Sequence, residues 1–97
     1  ETQLMPATPT NLAAPAQMLA QAGYTITAAG RDAADRDSLV LVGTRLRGTT
    51  TPRSAMVLSG DPSDATNAQA AKDQLLAGAA IVAISFDGTQ DHIVLEK

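Results

Sequence analysis

The sequence predicts a mainly β fold: a small β-sandwich or barrel-like domain of about six short antiparallel strands in two sheets, with a short N-terminal helix. Two observations lead to this prediction. Short runs of aliphatic and β-branched residues alternate with turn-forming clusters of Gly, Pro, Asp, Ser and Thr. The chain has 97 residues, which is enough for one domain with a small core.

The composition excludes nucleic-acid binding and cysteine chemistry. The formal net charge is −3 and the aromatic residues are one Phe and one Tyr, so there is neither a basic stripe for phosphates nor a stacking platform for bases. Without Cys, the chain cannot form disulfides, a thiol nucleophile or a cysteine zinc site. No apolar run approaches the ~20 residues that span a bilayer. The chain starts at Glu1 without a signal-like leader, so we expect an excised fragment.

The N-terminal part, residues 1–37, is predicted to be a linker or a partly ordered segment. Residues 1–10 contain two prolines and no apolar period, so no structure is assigned to them. Residues 15–22 have high helix propensity, and Gly23 is placed to end that helix. Residues 24–27 alternate β-forming side chains and are typical of a short strand.

The mixed-charge run at residues 30–37 is interpreted as a solvated loop. Its aspartates, Asp32, Asp35 and Asp37, would form a calcium loop only with a Gly at the sharp turn and a distal bidentate carboxylate. Two arginines within the run compete for the same carboxylates, so calcium binding is rejected.

Residues 38–97 are predicted to be the β domain. The apolar run Leu39–Val42, followed by alternating polar and apolar residues to Arg47, predicts a first strand. A Gly-Thr-Thr-Thr-Pro segment separates it from a second apolar run at 54–58, and the two runs are predicted to pair as a hairpin.

The segment at residues 65–77 supports two interpretations. Its Ala, Gln, Lys and Leu content favours a helix, whereas the family resemblance given below favours strands at 68–72 and 74–76, which are predicted here. Residues 79–84 and 92–95 are predicted to form a second hairpin. The sequence shows no internal repeat of diagnostic period. The predicted core consists of Leu39, Leu41, Val57, Ile81, Ile84, Ile93 and Leu95.

Catalysis, metals and cofactors are not expected. His92 is the only histidine, and Asp87 and Asp91 lie near it in the sequence. Because no Ser or Cys stands in a recognisable nucleophile elbow and no second metal ligand is evident, His92 is interpreted as a surface or strand-edge residue. No Gly-rich loop has the spacing of a phosphate-binding site. The chain is therefore predicted not to be an enzyme.

Residues 39–96 resemble the periplasmic homology region of the C component of the bacterial type II secretion system. That family has a Leu-x-Gly motif in its first strand, an Asp-Pro-x-x-Ser lead-in, a Ser-x-Ala-x-hydrophobic strand, a Gly-Asp turn, a Gly-Ala-x-Val-x-x-Ile strand and a closing Asp-x-Val-x-Leu-Glu segment. The similar segments here are Leu41-Val42-Gly43, Pro52-Arg53, Ser54-Ala55-Met56-Val57-Leu58, Lys72-Asp73, Gly78-Ala79-Ala80-Ile81-Val82-Ala83-Ile84 and Asp91-His92-Ile93-Val94-Leu95-Glu96. The chain departs from the pattern at Lys72, where the family has Gly, and in a longer segment at 59–73.

The resemblance implies a β-sandwich of two three-stranded antiparallel sheets in the periplasm, behind an inner-membrane anchor that lies outside this chain. It implies a non-catalytic docking module without cofactors, which binds the N-terminal periplasmic domain of the outer-membrane secretin and works with other inner-membrane secretion components.

By the same resemblance the first strand is the docking edge, with Arg45 and Arg47 at its rim. The partner-binding residues are then Leu41, Val42, Gly43, Thr44, Arg45 and Leu46, of which Val42 or Thr44 contacts the partner more centrally. Two alternatives stay open. One is a small secreted or periplasmic ligand-binding or inhibitor domain, and the other is a pilus-assembly lipoprotein of related fold.

Overall fold

A computed structural model describes residues 1–31 and 38–97. Most of the mixed-charge run interpreted as a solvated loop, including the aspartates at positions 32, 35 and 37 for which calcium binding was rejected, lies outside the described residues. The described residues form β1 (Thr2–Ala7), α1 (Ala13–Gln21), β2 (Thr25–Arg31), β3 (Leu39–Thr44), β4 (Ala55–Gly60), α2 (Thr66–Leu76), β5 (Ala80–Phe86) and β6 (Asp91–Glu96). The first sheet has the order β1-β3-β2, the second has the order β4-β6-β5, and all pairs are antiparallel. The predicted fold class is confirmed.

The architecture is a duplicated strand-helix-strand-strand unit. The first repeat is β1, α1, β2 and β3, and the second is β4, α2, β5 and β6; in each, the last strand lies in the centre of the sheet. The registers agree row by row, and a bulge falls at the same place, between Ile26 and Ala28 in β2 and between Ile81 and Ala83 in β5. The repeat was missed in the sequence because the two copies share backbone geometry more than residue identity.

Both helices end in the same way, and this fixes where the next strand begins. Gly23 after α1 has φ of 90°, and Gly78 after α2 has φ of 100°. In each case the N–H of the following residue donates to the carbonyl five residues earlier, at 3.0 Å. This is the Schellman arrangement, which requires the left-handed conformation that Gly adopts without steric cost. The helix predicted at 15–22, with Gly23 as its stop, is confirmed.

Each sheet has a helix face, which packs on the helix of its own repeat, and an open face on the opposite side. In the first repeat α1 covers the helix face, and the buried cluster there consists of Ala7, Leu12, Ala16, Leu19, Ile26, Leu39 and Leu41. In the second repeat Ala71 of α2 packs on Ile93 and Leu95.

The open face of the second sheet is also buried, because it packs against the first repeat. Val94 on the central strand β6 is fully buried and belongs to the same cluster as Leu39 and Leu41. Val57 and Ala83 on the flanking strands pack against that cluster as well. The main core therefore lies between the helix face of the first sheet and the open face of the second.

Three predictions of local structure are wrong. Residues 2–7, to which no structure was assigned, form β1 and pair with β3, so they are part of the first sheet. Residues 68–76 are helical, because their high helix propensity is not opposed by any pairing. The Lys72–Asp73 turn therefore does not form. The hairpin of 39–47 with 54–58 does not form either, because β3 pairs with β1 and β2 while β4 pairs with β6.

The predicted core is right on the central strands and wrong on β5. Leu39, Leu41, Ile93 and Leu95 are buried, and Val57 is half-buried. Ile81 is 39% exposed and Ile84 is 62% exposed, because the helix face of the second sheet is only partly covered.

Candidate functional site

The predicted partner-binding residues lie on β3 and just beyond its end. β3 pairs with β1 along one edge and with β2 along the other. Because both edges of its backbone are occupied, a partner strand cannot add to β3. The prediction that this strand is an open edge is wrong.

The side chains at these positions point to different surroundings. Leu41 and Gly43 are buried on the helix face, Val42 and Thr44 are half-buried on the open face, and Leu46 is 81% exposed after the strand ends. A Cβ added at Gly43 would lie 3.0 Å from the Cβ of Tyr24, so the close approach of these two strands favours Gly. Only the open-face positions and Leu46 are accessible from β3 to a partner.

Arg45 is held by three partners, so its charge is already engaged. Its Nε lies 2.6 Å from Oε2 of Glu1, and its Nη1 donates to the carbonyl oxygen of Ala22 at 2.6 Å. The guanidinium carbon lies 4.3 Å from the ring centroid of Tyr24. These contacts fix the end of β3 to the start of β1 and to the end of α1, which is a structural role.

The open backbone edge of the first sheet is β1. The β2 and β5 edges lie against each other, and both helices contact β4, where Oε1 of Gln17 accepts the N–H of Ala55 at 2.8 Å. β1, by contrast, pairs with β3 on one side and has no strand neighbour among the described residues on the other. It is therefore the strand that offers its backbone to a partner.

The outward-facing groups of β1 follow from the alternation of an antiparallel ladder. Glu1 and Arg45 exchange both main-chain hydrogen bonds, at 2.7 and 3.0 Å. The next residues along β1 therefore alternate, so that Thr2 and Leu4 direct their N–H and C=O away from β3. Pro6 shares this outward position, where its missing N–H costs no ladder bond. Leu4 is 60% exposed, so the edge carries an apolar side chain beside its open backbone groups.

A second candidate site is a hydrogen-bonded chain of Ser59, His92 and Asp87 at one end of the second sheet. Oγ of Ser59 lies 2.6 Å from Nδ1 of His92, and Nε2 of His92 lies 2.6 Å from Oδ2 of Asp87. Ser59 and His92 face each other across β4 and β6, which brings their side chains together. Asp87 comes from the turn between β5 and β6.

The hydrogen bonds between Ser59, His92 and Asp87 have a defined donor-to-acceptor direction. The N–H groups of Thr89 and Gln90 donate to Oδ1 of Asp87 at 2.7 and 2.8 Å. Hydrogen bonds from the Gln90 N–H and from His92 lower the pKa of Asp87 to about 2, against the desolvation that raises it, so this carboxylate is ionised at neutral pH. An ionised carboxylate can only accept, so Nε2 of His92 carries a proton, and in the neutral imidazole Nδ1 then accepts from the Ser59 hydroxyl.

The interpretation of His92 as a surface or strand-edge residue is wrong, because His92 is fully buried at the centre of its sheet. Ser59 is exposed, and it lines a cavity of about 230 Å³ with Gly60, Asp61 and Asn67 among its other walls. The sequence signal for this cluster was the alternation of β6, which directs His92 and Val94 to the same face. The register with β4, which brings Ser59 opposite His92, could not be known from the sequence.

Glu96 is a buried carboxylate between the repeats. Its side chain is fully buried, and Oε1 accepts the N–H of Ile26 from β2 of the first repeat at 2.9 Å. Oε2 lies 3.2 Å from Nε of Arg53, an ion-pair distance without hydrogen-bond geometry. This carboxylate ties the bulge of β2 to the centre of the second sheet.

Among the described residues, no group of three or more His, Cys, Asp or Glu side chains is placed to hold a metal ion. Neither helix in those ranges combines the length and apolar character of a membrane span. No protein-family model, curated protein or solved structure matches this chain. Function is therefore argued from the open edge of β1 and from the serine-histidine-aspartate chain.

Proposed function

We propose that this chain is a docking module of a type II secretion system, which binds the N-terminal periplasmic domain of the outer-membrane secretin through the free edge of β1. In this proposal the domain lies in the periplasm as part of a protein anchored in the inner membrane. It joins the other inner-membrane secretion components to the outer-membrane channel. Docking is its role, and it needs neither a cofactor nor catalysis.

The observation that carries the proposal is the open edge of β1. Thr2 and Leu4 direct N–H and C=O groups outward, where a partner strand can pair with them by β-augmentation. The Leu4 carbonyl accepts a hydrogen bond from the exposed side chain of Gln3 at 3.2 Å, and the partner strand would replace this bond. The apolar side chains of Leu4 and Val42 lie side by side on the open face, where they add packing to the backbone bonds. The proposal keeps the predicted contribution of Val42 and moves the docking edge from β3 to β1.

The partner in the proposal comes from the sequence resemblance to the secretion component. The resemblance implies two three-stranded antiparallel sheets, and the chain has two such sheets, but residues 39–96 supply only β3 to β6, while β1 and β2 lie outside the resembled range. Arg47, which is exposed, takes the role of a rim charge in place of Arg45. A rim charge alters the association rate and its salt dependence more than it alters the final affinity.

The test is calorimetric titration of the chain with a purified secretin N-terminal domain. Leu4→Pro removes the outward N–H and should reduce affinity by at least about tenfold. Leu4→Thr keeps that N–H and loses only apolar contact, so its affinity should fall less. Arg47→Glu should slow association at low salt and have little effect at high salt.

The matched control is Leu76→Thr, a Leu-to-Thr change at an exposed position at the end of α2, in the other repeat from β1. It should bind like the unmodified chain, and all variants should share its circular-dichroism spectrum. Full affinity of Leu4→Pro would exclude β1 as the docking edge. No binding of the unmodified chain to any secretin domain would exclude the partner.

A second candidate function is favoured by the chain of Ser59, His92 and Asp87. With Nδ1 of His92 as acceptor, the Ser59 hydroxyl can lose its proton as its oxygen attacks an acyl or phosphonyl centre, and the imidazolium then returns the proton to the leaving group. Ser59 and His92 form a non-hydrogen-bonded pair of the ladder. The N–H of Ser59 therefore points away from β6, toward the outer edge of β4.

This candidate is tested by incubation with a fluorophosphonate ester and mass spectrometry of the labelled peptide. Label on Ser59, lost in Ser59→Ala and reduced in His92→Gln, is the expected result for an activated serine. Ser54→Ala is the control, since Ser54 is an exposed serine on the same segment. Labelling of Ser54 and Ser59 at equal rates would show that His92 does not activate Ser59.

A further inference from the structure

Equivalent positions on the helix faces of the two repeats differ in burial. Ile26 on β2 and Ile81 on β5 precede the same bulge, yet Ile26 is fully buried and Ile81 is 39% exposed. Ala20 and Leu75 stand three residues before the helix-terminating glycines, and they are 0% and 43% exposed. The first repeat is covered by the second, whereas nothing in the described ranges covers the second repeat at these positions.

The open faces show the converse difference. Val94 on β6 is fully buried against the first repeat, and its equivalent on β3, Val42, is half-exposed. On the flanking strands Val57 is half-buried, and its equivalent Leu4 is 60% exposed. Within the chain, the helix face of the first sheet packs on the open face of the second sheet. This leaves the open face of the first sheet and the helix face of the second sheet without an equivalent contact.

Both uncovered faces are apolar in a chain in which 18% of residues are charged. The register places on the open face of the first sheet Thr2, Leu4, Pro6, Thr25, Ala28, Gly30, Val40, Val42 and Thr44, none of which is charged. It places on the helix face of the second sheet Met56, Leu58, Gly60, Ile81, Ile84, Phe86, Asp91, Ile93 and Leu95, of which only Asp91 is charged. Ile93 and Leu95 are covered by α2, so the uncovered apolar part of this face consists of Met56, Ile81, Ile84 and Phe86, each at least 39% exposed. Contiguous apolar surface of this kind marks an interaction site.

We propose that the occupant of both faces is a second copy of this chain, bound head to tail. The open face of the first sheet of one copy packs on the helix face of the second sheet of the next, and so continues between molecules the interface that joins the two repeats within one. Ile84 and Phe86, which are 62% and 51% exposed, then lie against Leu4 and Val42 of the neighbour. In repeat proteins each unit covers its neighbour in this way.

The proposal fixes the symmetry of the assembly. Because the two faces are different surfaces, the contact is heterologous, and it produces a ring if the rotation closes or a filament if it does not. A two-fold dimer would instead bring identical faces together. Within the chain, α1 contacts β4, whereas α2 has no comparable contact with β1, so the internal interface is also not two-fold.

The experiment is sedimentation velocity of the whole chain over a wide range of concentration. The mean mass should rise with concentration and pass beyond that of a dimer. Leu4→Lys on one face and Ile84→Lys on the other should each weaken association at least tenfold, because a buried unpaired ammonium is strongly disfavoured. Met18→Lys, at an exposed position on α1 that belongs to neither sheet face, is the control and should associate like the unmodified chain.

Mixing the two face variants gives the decisive result. Leu4→Lys leaves the helix face of the second sheet unchanged, and Ile84→Lys leaves the open face of the first sheet unchanged. These two unchanged faces can bind each other, while the altered face of each variant binds nothing. An equimolar mixture should therefore form heterodimers and nothing larger. Two outcomes overturn the proposal. One is a monomer at every concentration, and the other is an association that Ile84→Lys leaves intact, which would mean a two-fold contact through the first sheet.

The same variants separate this proposal from secretin docking. Ile84 lies on the second sheet, away from β1, whereas Leu4 and Val42 serve both contacts. At a concentration where the unmodified chain is monomeric, Ile84→Lys should therefore bind the secretin domain with the same affinity as the unmodified chain, although it no longer self-associates at high concentration. Loss of both would show that the second sheet also takes part in docking, and the head-to-tail assignment of its face to a copy of this chain would fail.

Discussion

The two repeats have the same strand order, the same bulge and the same helix ending, yet their equivalent side chains have different surroundings. Ile26 and Ile81 are the same residue at the same register, and one is buried while the other is 39% exposed. The burial of this isoleucine therefore depends on which repeat it belongs to, and not on its residue type. Matched substitutions in the two repeats can measure this difference, because the backbone and the residue are held constant.

The largest effect is expected for Ile26→Ala compared with Ile81→Ala. Truncation of the fully buried Ile26 should lower the free energy of unfolding by about 2 to 5 kcal/mol, because a cavity is left in the main core. Ile81→Ala should cost about 1 kcal/mol or less, since its side chain already contacts solvent. Urea denaturation at a concentration where the chain is monomeric measures both values. Equal losses would mean that Ile81 is covered in solution.

A smaller difference separates Gly23→Ala from Gly78→Ala. Both residues have positive φ, so Ala costs about 1 to 2 kcal/mol at either site. At Gly23 the new Cβ would also lie 3.1 Å from the carbonyl oxygen of Thr49, whereas at Gly78 its nearest neighbour is the end of the flexible Lys97 side chain, at 3.7 Å. Gly23→Ala should therefore cost roughly 2 to 4 kcal/mol in thermal or urea unfolding. A smaller loss for Gly23→Ala than for Gly78→Ala would contradict this packing.

Glu96 joins the repeats, and Thr44 at the equivalent position has no such role. Glu96→Leu leaves the N–H of Ile26 without its acceptor, which should lower the free energy of unfolding by about 1 to 3 kcal/mol. Glu96→Gln keeps an acceptor oxygen and should cost less. If the two variants unfold at the same urea concentration, Glu96 stabilises the fold through its ion pair with Arg53 and not through its hydrogen bond to the Ile26 N–H.

The smallest effect concerns pH and the turn of the second repeat. The pKa of Asp87 is lowered from 3.8 to about 2 in the folded chain, so its contribution to stability is present above pH 3.8 and is lost as the pH falls toward 2. The urea midpoint should fall less between pH 5 and pH 2 in Asp87→Asn than in the unmodified chain. Asp73→Asn is the control, since Asp73 is an exposed aspartate on α2, away from this turn. Parallel pH profiles of Asp87→Asn and the unmodified chain would contradict the assignment.

The strands with β-branched or alternating patterns could be predicted from the sequence, whereas β1, which contains Pro6, could not. The alternation of β3 and the apolar run of β5 predicted strands in the right places. β1 was missed because Pro6 is a breaker in a central strand, whereas at an outward position of an edge strand it costs nothing. The helix at 66–76 was missed because a resemblance outweighed a clear local propensity.

The candidate sites depend on long-range register, which local patterns do not encode. Ser59 and His92 are 33 positions apart, and their contact follows from the pairing of β4 with β6. β3 was taken for an edge because its two neighbours, β1 and β2, were assigned to a linker or a short separate strand. Ile84 is exposed because no further repeat packs beside the second sheet within the described residues, and the pattern of β5 does not encode this.

The segment between the repeats connects the ladder of β1 and β3 to the ladder of β4 and β6. Glu1 lies at the end of the first of these ladders, and Lys97 lies at the end of the second. Glu1 pairs with Arg45, Ser54 exchanges both main-chain hydrogen bonds with Lys97, and residues 46–53 run from one ladder to the other. A peptide of about the same length can therefore join Lys97 to Glu1, and a cut at the exposed Gly48 then gives a circular permutant in which the repeats follow in the reverse order. If that permutant folds with the same near-ultraviolet spectrum, the fold depends on the contact between the repeats and not on their order along the chain.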